Sequence, residues 1–458
     1  MAHAEVLPLP CASAGWAGVS AQLRALAAAP PASGAALVAA LFPLRAALGV
    51  LPLSPHQSDR MAAYFDAPGA PPHRSSFLQN GGLADVLTAA AGLQEAVERS
   101  NATCAAVPLR LLRAGFPRAT SLTREAAAAL LATAFLCLMP ARSKRWPEFC
   151  FRELWLWQVV KPSHAAKLDC HLHFFRSRAA APPAPGVLRF ERRVLDAVAA
   201  AAHRNAAHMP LCPLRVVPDD SICASNAPLR ADFANEKLGG GALSRGCVQE
   251  EILFSQRPEL CVGMLLCEKM RNDEAIVMRG AVCYSATYGF RDSFRWVDAV
   301  AADAAPHDYV AFDAVCFNYK RGPDPRKQWD ASFRQRELRK ALAAFAVRGG
   351  GPAPVVATGN WGCGAFGGDL HLKALLQWAA ASLAQCQEMH YHPFDKGQLA
   401  LALDAAQRAI SGWPPNACTA GGLLAAVEHY VERVPRRNKP PLLQWLLSDD
   451  ARNAALAA

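Results

Sequence analysis

Apolar positions in the first two hundred residues recur at helical spacing. Ala-rich and Leu-rich segments alternate with breaks at Pro30-Pro31, Pro71-Pro72 and Pro182-Pro183. A helix does not continue through such pairs, because proline lacks the amide donor and clashes with the preceding turn. The clearest helix runs from Arg124 to Leu138, with Thr123 placed to cap its start and Pro140 to stop it. The longest uncharged apolar run, Ala126 to Ala141, is shorter than the ~20 residues of a membrane-spanning helix. It predicts a buried core helix. The N-terminus lacks a basic region before an apolar stretch, so a secretory signal is not expected. An organelle transit peptide stays open, since Arg24 and Arg45 sit among many alanines and few acids.

Near residue 206 the period changes. Ile276 to Val282, Tyr309 to Phe317 and Val355 to Thr358 predict strands. Glu250 to Phe254, Glu259 to Cys267, Ser332 to Val347 and Leu370 to Leu383 predict helices. Strands alternating with helices predict an α/β fold with helices flanking the sheet, preceded by an all-α accessory domain. The expected division is 1–205 and 206–458, with Ala179 to Pro185 as a linker and a helical extension at the C-terminus. Ligands on such sheets sit in loops beyond the carboxyl ends of strands.

The 458 residues suffice for two or three domains, and 52% of them are hydrophobic. The charged fraction, 19%, is low, and alanine, a strong helix former, takes up the difference. A net charge of +10 suits an anionic partner, though a solvated arginine-biased surface would give the same figure. The densest basic run, Arg433 to Lys439, reads as an exposed loop or a weak nuclear signal. The fifteen cysteines form no C-x-x-C pair, which argues against a zinc ribbon or a thioredoxin-type site. Cys170, His171 and His173 cluster, as do His390 and His392, but neither cluster has a second ligand pair, so no metal is assigned. The thiols read as small buried hydrophobes of a reducing compartment.

Two segments carry chemistry. In the first, Asp232-Phe233-Ala234-Asn235 leads to Gly239-Gly240-Gly241 and then, after seven residues, to Gln249-Glu250-Glu251. Three consecutive glycines are costly in a regular element and make sense where backbone approaches a ligand. Neighbouring helical residues point ~100° apart, so Glu250 and Glu251 do not flank a bond as opposed carboxylates do. One would hold hydroxyls while the other exchanges a proton. An acidic pair also favours a first helical turn through the dipole alone. In the second segment, Thr358 to Asp369 lies between a strand and a helix and holds Gly362, Gly364 and Gly367. Free amides at a helix N-terminus suit a diphosphate. The G-x-G-x-x-G match falls late in the domain without the acid that a dinucleotide dehydrogenase needs. Phe290, Phe366, Tyr391 and Phe394 flank these loops and could stack on a base or pack in the core.

Together the two segments resemble the poly(ADP-ribose) glycohydrolase family, whose signature is a triple glycine followed by Gln-Glu-Glu. The resemblance implies a macrodomain-like mixed sheet behind a helical domain. It implies that Glu251 protonates the leaving ribose oxygen of a 1″–2′ bond and then activates water. Glu250 and Asn235 would bind ribose hydroxyls, Gln249 would hydrogen-bond substrate, and Asp232 would assist catalysis or orient the loop. Gly239, Gly240 and Gly241 would approach the substrate. Asn360, Trp361, Gly362, Cys363, Gly364 and Ala365 would cradle the diphosphate beside Phe366, and Phe394 would pack on the adenine. Phe290 stands where the family commonly has tyrosine, and Ile222-Cys223 where it has isoleucine–glutamate, so adenine contacts depart from the pattern. Expected partners are poly(ADP-ribose) and ADP-ribosylated proteins, without cofactor, metal, nucleic acid or membrane, acting as a monomer in nucleus or cytoplasm. An acid with a raised pKa would lose activity above neutrality. A reader macrodomain and a mono-ADP-ribose hydrolase remain alternatives.

Overall fold

The computed structural model describes residues 7–180, 186–195, 208–218, 221–300, 307–318, 320, 322–346, 354–435 and 437–457. The expected boundary near 205 and most of the Ala179–Pro185 linker lie outside the described residues. The strands are β1 (Arg118–Thr123), β2 (Val187–Val194), β3 (Leu214–Val216), β4 (Leu229–Asp232), β5 (Glu274–Ala281), β6 (Ser285–Tyr288), β7 (Arg295–Ala299), β8 (His307–Ala311), β9 (Val355–Gly359) and β10 (Glu388–His392). Eight of them form one sheet in the order β1-β2-β5-β8-β4-β9-β10-β3, and β6 and β7 pair as an antiparallel hairpin. Among the described residues no helix is long and apolar enough to cross a membrane.

The chain folds as two compact units, each assembled from three segments. The first comprises Met1–Glu191, Lys237–Lys269 and Met278–His307. It is largely helical. Helix Arg124–Phe135 is buried on all sides, and Thr123 caps it by accepting from the Ala126 amide at 3.3 Å. It stops three residues before the expected end, ahead of Cys137, whose φ is +57°. Phe135 packs against Phe151, Trp155 and Phe175 with ring centroids 5.0–5.4 Å apart. Helix Pro162–Ala180 is fixed by one buried carboxylate. Asp169 accepts from Tyr64 Oη at 2.6 Å and from Arg74 Nε and Nη2 at 2.8 and 2.9 Å, with His73 Nε2 at 2.9 Å. Burial opposes its ionisation, but the bonds from His73, Arg74 and Tyr64 outweigh that and hold the carboxyl below its ordinary pKa.

The second unit comprises Arg192–Glu236, Met270–Val277 and Asp308–Ala458. Its centre is parallel: β8 pairs with β4, β4 with β9, β9 with β10 and β10 with β3. Asp232 lies opposite Ala311, and Gly359 opposite His392, so four strands end on one edge. Parallel strands buried on both faces need apolar cover. Helices Ala331–Phe345 and Leu370–Leu383 supply it, placing Leu338, Phe345, Leu375 and Trp378 in one core with Val310, Val356 and Met389. Helix Leu370–Leu383 begins and ends as its periodicity predicts, because Asp369 accepts from the Leu372 amide at 2.9 Å and so caps it.

Four elements differ from expectation. The strand expected over Tyr309 to Phe317 ends at Ala311. Beyond it, Phe312 O accepts from Trp361 Nε1 at 2.9 Å and the Phe317 amide donates to Phe366 O at 2.6 Å. These groups brace a neighbouring loop instead of a strand. The helix expected over Glu259 to Cys267 is a 3-10 turn, Pro258–Cys261, followed by one α-turn, Val262–Leu266. β1 and β2 fall in a region whose hydropathy suggests only helix. In β2 an arginine takes a core position: Arg192 is paired with Glu274 of β5, and both side chains are fully buried. The charges hide the strand's alternation. Arg192→Met would strand the Glu274 carboxylate in the interior, and a loss of about 3–5 kcal/mol is expected. Chemical denaturation monitored by fluorescence checks this, and Arg192→Met/Glu274→Leu should recover most of the loss.

Candidate active site

In the first unit the chain enters the triple glycine at φ +86° for Gly239 and +48° for Gly240, a region that side chains disfavour. A Cβ on Gly239 would lie 2.7 Å from Met264 Cγ, and one on Gly241 2.5 Å from Gly246 N. The turn therefore closes on itself at a distance only glycine allows. Helix Gln249–Gln256 starts after seven intervening residues, with a valine at its N-cap. Valine has no acceptor to cap with. Glu251, at the third helical position, supplies the bonds instead. Its Oε2 accepts from the Val248 amide at 2.9 Å, and its Oε1 from the Gly241 amide at 2.9 Å. Glu250 Oε1 accepts from the Gly239 amide at 2.6 Å. The two glutamates are only 2% and 6% exposed. Although they diverge along the helix, both reach the glycine turn. Each carboxylate oxygen can accept two bonds, so Glu251 is held in place with a lone pair on each oxygen still able to take a proton. Gln249 opens the helix and is half-buried.

The β6–β7 hairpin brings Phe290 to the same part of this unit. Arg291 N donates to Cys247 O at 2.9 Å, and Phe294 packs with Cys247 and Ala166. The Phe290 ring itself is 37% exposed, and Ser293 Oγ ties its backbone in a tight turn.

The second unit carries the remaining candidates on the carboxyl edge of its parallel strands. Asp232, fully buried, ends β4, and half-buried Asn235 follows it. Between β9 and helix Leu370–Leu383, the loop from Asn360 turns twice at left-handed glycines, Gly362 (φ +73°) and Gly367 (φ +72°). The amides of Trp361, Cys363, Gly367 and Gly368 are used inside the turn, on Gly359, Asn360, Gly364 and Gly362 carbonyls. Those of Gly362, Gly364, Ala365 and Phe366 donate to no protein acceptor among the described residues. Gly364 and Ala365 are exposed. Such a run of unclaimed amides ahead of a helix can serve as an anion cradle.

The cradle stands on buried supports. Trp361 is fully buried under Phe312, with ring centroids 4.6 Å apart. Lys373 Nζ lies 3.9 Å from the Trp361 ring and pairs with Glu337, and Glu337 accepts from the Val315 amide at 3.0 Å. Burial, with Arg336 nearby, pushes the Lys373 ammonium well below the usual lysine range. Asn360 Nδ2 donates to Pro393 O at 2.8 Å, and Asn360 Oδ1 accepts from Tyr391 Oη at 3.1 Å. The cradle is thus tied to the segment that carries Phe394, which is 59% exposed at φ +58°. A bulky residue in that conformation is strained and marks a candidate ligand contact. Ile222 packs with Ala227 and Ala357 in a 3-10 turn, and Cys223 O accepts from Arg230 Nη1 at 2.9 Å.

Gly246, Lys167, Lys373 and Glu337 were not readable as site residues. A glycine between the triple glycine and the glutamates was the single local signal, and the others lie far off in sequence. His171 and His173 bond to Lys167 O and Ser177 Oγ. Among the described residues no group of three or more His, Cys, Asp or Glu could hold a metal ion.

An amide cradle beyond parallel strands can hold a phosphate-bearing ligand, and a buried carboxyl fixed in place can exchange a proton with a bound one. Residues 201–401 match the family model described as "Poly (ADP-ribose) glycohydrolase (PARG), Macro domain fold", so the sheet is a macro domain. Residues 73–192 match that family's helical domain. Poly(ADP-ribose) glycohydrolase 1 of Arabidopsis thaliana is 31% identical over 422 residues, covering 74% of this chain and 74% of that protein. The probable poly(ADP-ribose) glycohydrolase 2 of the same plant is 29% identical over 398 residues, with 74% of each covered. Poly(ADP-ribose) glycohydrolase 1 of Caenorhabditis elegans is 35% identical over 199 residues, 40% of this chain and 25% of its own. The chain belongs to the poly(ADP-ribose) glycohydrolase family.

Proposed function

We propose that the chain hydrolyses the ribose–ribose 1″–2′ bonds of poly(ADP-ribose) and releases ADP-ribose, with Glu251 as its acid and base. The observation that carries this reading is the Glu251 carboxyl, held at 2.9 Å by the Gly241 and Val248 amides at the head of its helix. The C1″–O2′ bond breaks as Glu251 gives its proton to O2′. Positive charge develops at C1″, beside the carboxylate that remains. Water then adds its oxygen to C1″ and returns a proton to Glu251. Glu250, Asn235 and Gln249 hold ribose hydroxyls, and Asp232 orients the strand end from which Asn235 projects. The amides of Gly362, Gly364 and Ala365 take the diphosphate, while Phe394 and Phe290 offer aromatic faces to the base. The substrate is the polymer and proteins that carry it, and the chain acts as a monomer in nucleus or cytoplasm.

The test is incubation of the purified chain with protein-bound radiolabelled poly(ADP-ribose). Free ADP-ribose is the expected product. Polymer that is bound but intact would make the chain a reader, and release from mono-ADP-ribosylated protein alone would make it a hydrolase of that linkage.

Asn360→Ala separates binding from chemistry. It removes both ties between the cradle and the Tyr391–Phe394 segment, and it lies in the second unit whereas Glu251 lies in the first. Loss of these two part-buried hydrogen bonds beside the ligand-holding loop should weaken ADP-ribose about tenfold. KM should rise in proportion while kcat stays within about twofold, the pattern of lost uniform binding. Titration calorimetry with ADP-ribose, beside steady-state rates, checks it.

A further inference from the structure

Lys167 lies in helix Pro162–Ala180, 74 residues before the glycine turn, and is fully buried. Its ammonium donates to four backbone carbonyls: Gly241 at 3.0 Å, Ala242 at 3.1 Å, Ser244 at 2.8 Å and Gly246 at 2.6 Å. These are successive corners of the single turn that joins the triple glycine to Glu250-Glu251. An ammonium has three protons, so the four carbonyls form a cage around it. A buried lysine without an ion-pair partner in contact is costly, and here the backbone carbonyls, with the charge of Glu251 nearby, offset that cost. Gly241 is gripped on both sides, its carbonyl by Lys167 and its amide by Glu251 Oε1 at 2.9 Å. Gly246 is held the same way, its carbonyl on Lys167 and its Cα against the Glu251 carboxyl, where an added Cβ would meet Oε1 at 2.3 Å.

We propose that Lys167 is a positioning residue for the glycosidic reaction: its ammonium gathers the Gly241–Gly246 carbonyls and so fixes the amide and the backbone wall that aim Glu251. The inference rests on the hydrolase reading given above. Its reach is confined to the first unit.

The tether depends on protonation. A neutral amine has two protons and a lone pair, which repels the carbonyls it would face. Burial pushes the Lys167 ammonium down to about 8, opposed by the charge of Glu251. The other titratable groups facing it are the thiols of Cys247, Cys261 and Cys170, with His164 and His171 on its own helix. Burial lowers both histidines, His171 to about 4. Neither imidazole therefore changes charge where Lys167 does. Below about pH 8 the cage is complete, and above it the cage opens. Global stability moves the other way, because the folded protein holds this proton less tightly than the unfolded chain, so this group's contribution grows as pH rises from about 8 toward the ordinary lysine range. A lysine serving only stability would not make turnover fall there.

The experiment compares the full chain and Lys167→Met on poly(ADP-ribose) from about pH 6.5 to about pH 9.5, with ADP-ribose affinity and amide hydrogen exchange measured in parallel. For a misplaced reacting group, kcat at neutral pH should fall about 100-fold while KM stays within about threefold. The wild-type fall in kcat through about pH 8 should be absent from the variant. A folded variant with wild-type kcat, or one that keeps that fall, overturns the proposal. If Lys167→Met does not fold, the wild type carries the test. Exchange of the 239–248 amides, corrected for intrinsic rate, must accelerate through about pH 8, and unchanged protection overturns the tether. Absence of polymer hydrolysis by wild type would instead sink the functional reading, and the exchange result would still judge Lys167.

Discussion

Glu251→Gln is expected to lower kcat on poly(ADP-ribose) by about 1,000-fold or more, near the upper range for losing an essential general acid. The substitution is nearly isosteric. The glutamine carbonyl oxygen can keep one of the two backbone bonds, from Gly241 or Val248, that the carboxylate holds at 2.9 Å. The other amide then faces an NH₂ group and loses its acceptor, a penalty of about 1–3 kcal/mol for a buried donor. The melting temperature should therefore fall by a few degrees while the fold survives. The cradle amides of Gly362, Gly364 and Ala365 belong to the other unit and are not altered, so ADP-ribose affinity should stay within about threefold. Rapid-quench turnover beside calorimetry separates these effects. A variant that turns over within about tenfold of wild type would remove Glu251 from the chemistry.

Gly246→Ala is expected to cost about 100-fold in kcat, although residue 246 carries no functional group. A Cβ there would sit 2.3 Å from Glu251 Oε1 and 2.5 Å from its Cδ. No real contact is that short, so the carboxyl must move by a distance approaching 1 Å, and a misplacement of that size can cost about two orders of magnitude. Moving it also breaks the bond to the Gly241 amide. Gly18→Ala in helix Trp16–Ala28 is the matched control, since a Cβ at Gly18 meets nothing within 4 Å. Comparable kcat losses in the two variants would show that backbone mobility, and not the position of Glu251, limits turnover.

How much of this is legible in sequence follows from what is local. Helix Leu370–Leu383 is readable because its periodicity and its Asp369 cap lie in one window. The glycine and glutamate segments are readable as a motif for the same reason. The strand after Tyr309 is overextended because extended apolar residues look alike whether they pair with a strand or brace a loop, and Phe312 and Phe317 do the latter. β2 is invisible because Arg192 occupies a core position, and its partner Glu274 lies 82 residues away. Lys167 is beyond reach for a related reason. A lysine among His164, Asp169 and His171 looks like a helix's solvated side until the fold brings it against four carbonyls 74 to 79 residues on. Even the glutamates are only half read. Their adjacency suggests divergent directions, yet both turn back to the glycine amides, because the helix starts at a valine that cannot cap it.

Product identity tests the central claim most directly. Poly(ADP-ribose) can be cut at its glycosidic bonds or at its diphosphates, and the two leave different molecules. The purified chain should be incubated with polymer and the soluble products identified by mass spectrometry. ADP-ribose with its diphosphate intact is the predicted product, since Glu251 exchanges a proton at a ribose oxygen while the cradle only holds the phosphates. Phosphoribosyl-AMP, or polymer that survives unchanged, would contradict it.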